Sequence, residues 1–348
     1  MHNHSHEAPS GTVQRNSPSA EETGYVVGID IGGTNLRLAL ADVTGAIVAR
    51  SSSSTAGVRG ADAVVALIAD GVQSLRQQVS APDYALKAVA AGAPGVTNVD
   101  AGIVIATSYL MGWRDVPLRA LLEDALNVPA AIDNDVNLAA IGELWAGAAK
   151  GARDFVFLAI GTGIGAGIIL NGHPFRGTNW AAGEIGYMLL PGTSDHPANH
   201  GEPGALESMI GGEGIKAQWQ SVWNADRTTL PNNLTATEIF DHALIGDPLA
   251  QTILRQSARM LSQAVYNISL VLNCPLFVLG GGVGMHPALH SATQTMLDQR
   301  SIRKRPQLAL STLGADAQLM GALRLALDTA GVGAASEPAQ SSVAQPVE

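Results

Sequence analysis

Two stretches of this chain are built alike, and that duplication restricts the folds open to it more than any other feature. The first is YVVGIDIGGTNLRLALADVTGAIVA, from Tyr25; the second is DFVFLAIGTGIGAGIILNGHPFRG, from Asp154. Each opens with a β-branched and aliphatic run, breaks at a tight Gly/Thr turn, continues as a second apolar run and turns again at a glycine into a third. The first turns are Gly32-Gly33-Thr34-Asn35 and Gly161-Thr162-Gly163-Ile164-Gly165; the second turns are Thr44-Gly45 and Asn171-Gly172. An offset of about 130 residues is the size of a domain rather than of a solenoid repeat. The pattern predicts two related lobes, each starting with a three-stranded meander whose first turn faces the other lobe.

Between and after the meanders the pattern changes. GADAVVALIADGVQSLRQQV has helical periodicity, LKAVAAGAPGVT reads as a strand ending at Pro94-Gly95, and VPLRALLEDAL reads as a helix. VPAAIDND is a strand, VNLAAIGELWAGAA a helix, and DPLAQTILRQSARMLSQAVYNISLVLN a long helix. PLFVLGGGVG is a strand with a glycine-rich turn, and DAQLMGALRLALDTA a final helix. Alternation of this kind predicts an α/β chain with mixed sheets covered by helices, and such sheets gather ligands at the carboxyl ends of their strands.

The 348 residues are 46% apolar and carry a net charge of −10, which suits a globular chain and argues against a nucleic-acid surface. A phosphate ligand remains compatible, because backbone amides and a metal ion neutralise phosphate locally. Cys274 is the single cysteine, so no internal disulfide forms, as suits a reducing cytosol. Residues 1–23 are polar, without an apolar core of signal-peptide length, and read as a disordered tail. Within them His2, His4 and His6 could bind a metal weakly. The segment from Gly331 onward reads as equally unstructured, and no segment reads as a membrane span.

Glycine turns between strands let backbone N–H groups approach phosphate with no Cβ in the way. One such turn is an ordinary hairpin more often than not; two in matching positions point to a nucleotide. Asp30 stands immediately before the first turn, where beside phosphates it would hold Mg²⁺ directly or through water. In AAIDNDVNLAAIGE an apolar strand ends in Asp133-Asn134-Asp135 ahead of a helix. One of the three could simply cap that helix. Asp135 could take a hydroxyl proton as general base, and Asn134 could orient the same substrate. Glu184 and Glu207 lie in glycine-bordered turns, as solvated or capping acids or as acceptors for the hydroxyls of a sugar. Gly280, Gly281 and Gly282 follow a strand and offer either a structural turn or a flat seat for an adenine ring.

In this order, GIDIGGTN, NDVN, GTGIGAG and GGGVG resemble the first phosphate motif, catalytic segment, second phosphate motif and adenosine motif of the ROK family of sugar kinases, within the actin-like, hexokinase-type ATPase superfamily. AGEIGYM and GALESM resemble the family's sugar-binding and signature segments, and the resemblance runs from Tyr25 to about Ala330. It implies a two-lobed actin-like (ribonuclease H-like) fold with the ligand cleft between lobes. The first lobe would span residues 24–134, completed by the C-terminal helix at 315–330; the second would span 135–314, with 331–348 a tail. It implies a cytoplasmic, Mg²⁺- and ATP-dependent kinase acting on the primary hydroxyl of a hexose, glucose first, and a homodimer, as the family often forms. Asp135 would be the base, Glu184 and Glu207 sugar ligands, and Gly95 a neighbour of the sugar. ATP would touch Gly32, Gly33, Thr34 and Asn35 in one lobe and Gly161, Thr162, Gly163 and Gly280–Gly282 in the other.

Two departures stand out. Where the family usually has a histidine that touches sugar and binds a structural zinc with three cysteines, this chain has Tyr187, and the cysteine positions hold Ala198, His200 and Ala205. One histidine does not make a closed tetrahedral site, so no structural zinc is expected; Tyr187 keeps a hydroxyl for hydrogen bonding. Tyr109 stands where the family often has an asparagine that touches sugar. The larger ring would reshape the pocket, with Ser108 or a displaced loop left to supply the lost hydrogen bond. N-acetylglucosamine, N-acetylmannosamine, mannose, fructose or allose therefore remain alternative acceptors, and polyphosphate or ADP alternative donors. A non-catalytic sugar sensor is a further alternative, although repressors of this family carry a helix-turn-helix where only 24 residues precede Tyr25 here.

Overall fold

The computed structural model describes residues 24–80, 82, 85–107, 110–194, 202–300 and 305–332. The first meander is β1 (Tyr25–Ile31), β2 (Asn35–Asp42) and β3 (Ile47–Ser54), followed by α1 (Ala61–Gln78) and β4 (Leu86–Ala93). A small sheet of β5 (Val96–Asn98), β6 (Ile103–Ala106) and β7 (Arg114–Val116) leads into α2 (Leu118–Leu126), β8 (Ala130–Asn134) and α3 (Asp135–Ala146). The second meander is β9 (Phe155–Ile160), β10 (Ile164–Leu170) and a two-residue β11 (His173–Pro174). Then come α4 (Glu207–Ile210), α5 (Gly212–Val222), α6 (Ala236–Leu244), α7 (Pro248–Leu272), β12 (Leu276–Gly280), α8 (Pro287–Asp298), β13 (Gln307–Leu310) and α9 (Ala317–Thr329).

The two main sheets have the orders β3-β2-β1-β4-β8 and β11-β10-β9-β12-β13. They match position for position: an antiparallel meander extended by two parallel strands. The meander strands twist together through tight turns, and the parallel strands need helical crossovers. In the first sheet β1, β4 and β8 run parallel, buried on both faces as near-continuous apolar runs. One face packs Val27, Ile29, Leu36 and Leu38 against Ile68, Val72 and Leu75 of α1. The other presents Val26, Ala39, Ala41 and Ala90, whose small size lets Leu319, Leu323 and Leu327 of α9 lie close. The last helix of the chain therefore covers the first sheet. In the second sheet Phe155, Phe157 and Val278 pack under Ala139 and Ala140 of α3, and a larger core around Trp219, Phe240 and Leu261 fills the other face.

Helices α3 and α9 cross at two glycines. A Cβ on Gly142 would lie 2.2 Å from the Ala317 carbonyl oxygen, and one on Gly321 would lie 1.8 Å from that of Leu138. Only glycine permits this backbone approach. The helix ends follow local chemistry: Asp247 caps α7 through Leu249 N and Ala250 N ahead of Pro248, and Thr235 with Glu238 forms a capping box on α6. Among the described residues no helix is long and apolar enough to cross a membrane.

Candidate active site

Strands β1, β4 and β8 end side by side. Asp30 pairs in register with Gly92, and Gly92 with Asp133, so two motifs distant in sequence deliver carboxylates to one sheet edge. The next residues, Asn134 and Asp135, turn the chain into α3.

The three polar residues divide the work. Asp133 is fully buried. Its Oδ1 accepts from Asn134 N at 2.8 Å and Asn137 Nδ2 at 3.1 Å. Its Oδ2 accepts from Arg176 Nε at 3.0 Å and Nη2 at 2.5 Å. Arg176 follows β11, so this charge-assisted pair ties the edge of the first sheet to the loop beyond the second meander. Asn134 is the helix cap: its Oδ1 accepts from Val136 N at 2.9 Å and Asn137 N at 3.1 Å. Its Nδ2 donates to the Gly95 carbonyl at 2.9 Å, leaving one amide hydrogen for a ligand. The substrate contact expected of Asn134 thus coexists with a structural duty that consumes most of its side chain.

Asp135 opens α3 and is half-buried, with Oδ1 accepting from Val136 N at 2.9 Å. Burial pushes its carboxyl up to about 7; the nearby Asp30 charge adds to this, Glu184 adds less, and the Val136 N–H opposes it. Asp30 is itself raised by burial, against the pull of Arg37. Arg37 faces it across the hairpin and donates through Nε at 2.8 Å and Nη2 at 2.5 Å. With its amide nitrogen turned to the carboxylate, Gln318 of α9 reaches both Asp30 oxygens at 3.2 and 3.1 Å.

Glu184 lies open to the cleft, yet its carboxyl is raised by desolvation and by the neighbouring Glu207. Glu207 Oε2 accepts from Ile164 N at 3.0 Å, so this acid clasps the second glycine turn. Two glycines make the surrounding loops possible. Gly183 has φ +98° and a Cβ there would lie 1.9 Å from the Ala166 carbonyl; Gly95 has φ +95° and a Cβ would lie 2.1 Å from the Ala106 carbonyl. A hollow at this place is lined by Gly95, Asn134, Asn137, Trp180, Gly183 and Glu184, among others. A larger hollow of about 790 Å³, between α7, α8 and Gly192, contains neither a carboxylate nor a glycine turn.

The two glycine turns have exposed tips braced from behind. In the first, Gly32 N donates to Asn35 O at 2.8 Å and Thr55 Oγ1 to Gly32 O at 2.9 Å, while Gly33, Thr34 and Asn35 face solvent. In the second, Gly212 N and Glu213 N at the start of α5 donate to Gly161 O at 2.8 Å and Thr162 O at 3.2 Å. The triple glycine packs beside it: Val283 N and Gly284 N both donate to Ile160 O at 3.0 Å. Gly280 is needed because a Cβ would meet the Phe157 ring at 2.2 Å; Gly282 has nothing within 4 Å and presents bare backbone.

Asp30 and Asp135 form a donor pair that fits a hard divalent cation such as Mg²⁺. Among the described residues no group of three or more His, Cys, Asp or Glu is placed to hold a metal ion. The occupation of Asp30 by Arg37 and Gln318 favours contact through water.

Tyr187 is 55% exposed on a short 3₁₀ turn (Ile185–Tyr187) and, like Asp135 and Glu207, is not among the residues that line the hollow at Gly95 and Glu184. The backbone at 185–187 directs its side chain outward while Ile185 fills the core. Tyr109, Ser108, Ala198 and His200 lie outside the described residues, as do the histidines of residues 1–23. Sequence reasoning missed Arg37, Asn137, Arg176 and Trp180. Arg176 carried a signal, being the only Lys or Arg between Arg153 and Lys216.

A family model described as the ROK family matches residues 26–329. A glucokinase from Halalkalibacterium halodurans is 33% identical over 266 residues, 74% of this chain and 80% of its own. A xylose repressor from Caldicellulosiruptor bescii is 24% identical over 294 residues, 81% of this chain and 72% of its own. Among solved structures, a ROK family glucokinase from Streptomyces griseus in complex with glucose and AMPPNP is similar with a TM-score of 0.72 at 25% identity, over 88% of this chain and 100% of that one.

Proposed function

The chain belongs to the ROK family and has its two-lobed, actin-like fold, and from that premise we propose that it is an ATP-dependent sugar kinase. It transfers the γ-phosphoryl group to the primary hydroxyl of a hexose, with glucose the leading acceptor. The observation that carries this reading is Asp135, just past the carboxyl end of the parallel strands, whose carboxyl is pushed to about 7 by burial and by the charges of Asp30 and, less, Glu184. A general base is most effective when its pKa lies near the working pH.

Phosphoryl transfer asks a protein mainly to position groups and to balance charge. Glu184, Glu207 and the Gly95 backbone would hold the sugar, and the remaining Asn134 N–H would orient its hydroxyl. The exposed amides of the two glycine turns would cradle the phosphates, and Gly280–Gly282 the adenosine. Asp135 would receive the acceptor's proton as the oxygen attacks the γ-phosphorus in line. Mg²⁺, when bound beside Asp30 and Asp135, would supply neutralisation of phosphate charge. The relatives named glucokinase support the enzyme and the glucose default. The repressor among the relatives favours sugar sensing as the second reading. Lobes at 24–134 with 315–330, and at 135–314, would form a cleft that closes on both ligands.

The experiment is ADP release with MgATP against a panel of hexoses and N-acetylhexosamines, with Asp135→Asn as control. Turnover with one sugar, lost in the variant, supports the kinase and names its acceptor. Sugar binding without turnover from any donor, polyphosphate and ADP included, would replace it with the sensor.

A further inference from the structure

Six non-glycine residues of the described chain have positive φ: Ser80, Asp115, Asn127, Asn171, Trp180 and Asn273. Five are small polar residues of the kind that tolerate the left-handed region, where a short side chain bonds its own backbone. Trp180, at φ +56°, is the exception. A bulky residue persists in that conformation only where its surroundings over-determine it, and such strain collects at functional sites.

The surroundings are on hand. The loop from Arg176 to Glu184 is pinned at both ends. Arg176 is fixed by the buried Asp133, and its carbonyl accepts from Ala182 N at 3.1 Å. The Gly183 carbonyl accepts from Ala166 N at 2.9 Å on β10. Trp180 N closes the turn onto Gly177 O at 3.4 Å. Trp180 is half-exposed and lines the hollow with Gly95, Asn134 and Glu184. Trp113 and Trp219 are buried, and Trp145 and Trp223 pack against the cores. Trp180 is thus the tryptophan of the cleft.

We propose that Trp180 is a specificity-determining residue whose indole face forms a wall of the acceptor site and stacks on the C–H face of a pyranose ring, rim-side to the carboxylate of Glu184. This rests on the reading of the cleft as a sugar site. The chemistry is complementary: a pyranose in its chair form offers a patch of axial C–H groups with small positive charge, and an indole face offers negative quadrupole and apolar area. The neighbouring carboxylate then accepts from equatorial hydroxyls at the ring's edge. The acceptor class is a pyranose with an unbroken C–H face; an axial hydroxyl on that face would stand against the indole and lose the stack.

The test pairs affinity with stability. Trp180→Ala and Trp180→Gly should raise the sugar KM about tenfold or more while kcat and the ATP KM stay within about twofold. Trp180→Gly should also unfold at the wild-type temperature or above it, because glycine accepts φ +56° without strain. Trp180→Phe should restore most of the sugar affinity yet abolish the sugar-induced change in intrinsic fluorescence. An unchanged sugar KM in the Ala and Gly variants, or a fall in unfolding temperature as their only effect, would overturn the role of Trp180 and leave the kinase reading intact. Failure of the wild type to bind or phosphorylate any pyranose would overturn both.

Discussion

Arg176→Ala leaves Asp133 as a buried charge without a counter-ion. Asp133 has no exposed surface, and its Oδ2 loses both donors, at 3.0 and 2.5 Å. Its Oδ1 keeps Asn134 N and Asn137 Nδ2. Breaking a buried pair from one side costs about 3–5 kcal/mol. The Arg176 side chain is 23% exposed, so water can enter the space it vacates and lowers the cost to about 2–3 kcal/mol. At ~2–4 °C per kcal/mol for a domain of this size, calorimetry should show Tm falling by about 4–12 °C. The decisive comparison is Asp133→Asn/Arg176→Ala. An amide at 133 removes the stranded charge and still accepts from Asn134 N and Asn137 Nδ2, so the double variant should melt above Arg176→Ala alone. A double variant that melts at or below the single one would refute the uncompensated-charge argument. Both variants should raise the sugar KM, because Arg176 anchors the loop that carries Trp180 and Glu184.

Four further outcomes are expected. As the proposed base Asp135 would act as a carboxylate, and burial pushes its carboxyl up to about 7, so kcat/KM for the sugar should rise with pH through that value; a flat profile from about pH 5.5 to about 8.5 would reject Asp135 as the base. The same raised pKa means that Asp135 favours the folded state below its unfolded value of 3.8 and loses that contribution as pH climbs to about 7, so Asp135→Asn should melt above wild type at pH 8 and with it at pH 4 while turnover falls by ~10²–10⁴. Gly183→Ala should cost about 3 kcal/mol or more and abolish sugar turnover, since its Cβ meets the Ala166 carbonyl at 1.9 Å, whereas Gly57→Ala, at φ +82° in open space, should cost only about 1 kcal/mol. Gly282→Ala, with nothing within 4 Å, should leave Tm unchanged and raise the ATP KM but not the sugar KM.

The duplicated meander was legible because strand-turn-strand spacing is a local matter. Glycines in each turn and an apolar period mark β1–β2 and β9–β10 as hairpins, and the two sheets carry those hairpins in matching positions. Which acids meet was legible only in outline. Asp30 and Asp135 could be placed at strand ends, but their closeness depends on β4 lying between β1 and β8 with Gly92 as the narrow residue. The pairing of Asp133 with Arg176 and of Glu207 with Ile164 N joins segments from different lobes or turns, and no period in the sequence encodes it. Asn134 shows the limit of reading a polar triplet by type: capping and ligand contact call for the same residue, and the geometry gives most of it to the cap.

The acids of the cleft form a chain, each disfavouring the charge of the next: Asp30 acts on Asp135, Glu184 on Asp135, and Glu207 on Glu184. Such a row is unfavourable for the fold alone, since burial and like charge both raise the carboxyls of Asp135 and Glu184. It persists because the surrounding structure is rigid on independent grounds, namely the Asp133–Arg176 pair, the Asn134 cap and the glycine crossing of α3 with α9. Ligands that bring hydroxyl donors to Glu184 and Glu207 at one end, and positive charge to Asp30 and Asp135 at the other, would relieve repulsion that the empty cleft retains. Each ligand would then lower the cost of binding the other through Asp135, the acid common to both ends. Sugar and nucleotide should therefore bind with positive coupling that shrinks when Asp135 is made neutral. Equal coupling in wild type and Asp135→Asn, measured by calorimetric titration of each ligand with and without the other, would place the link in lobe closure rather than in the shared charge.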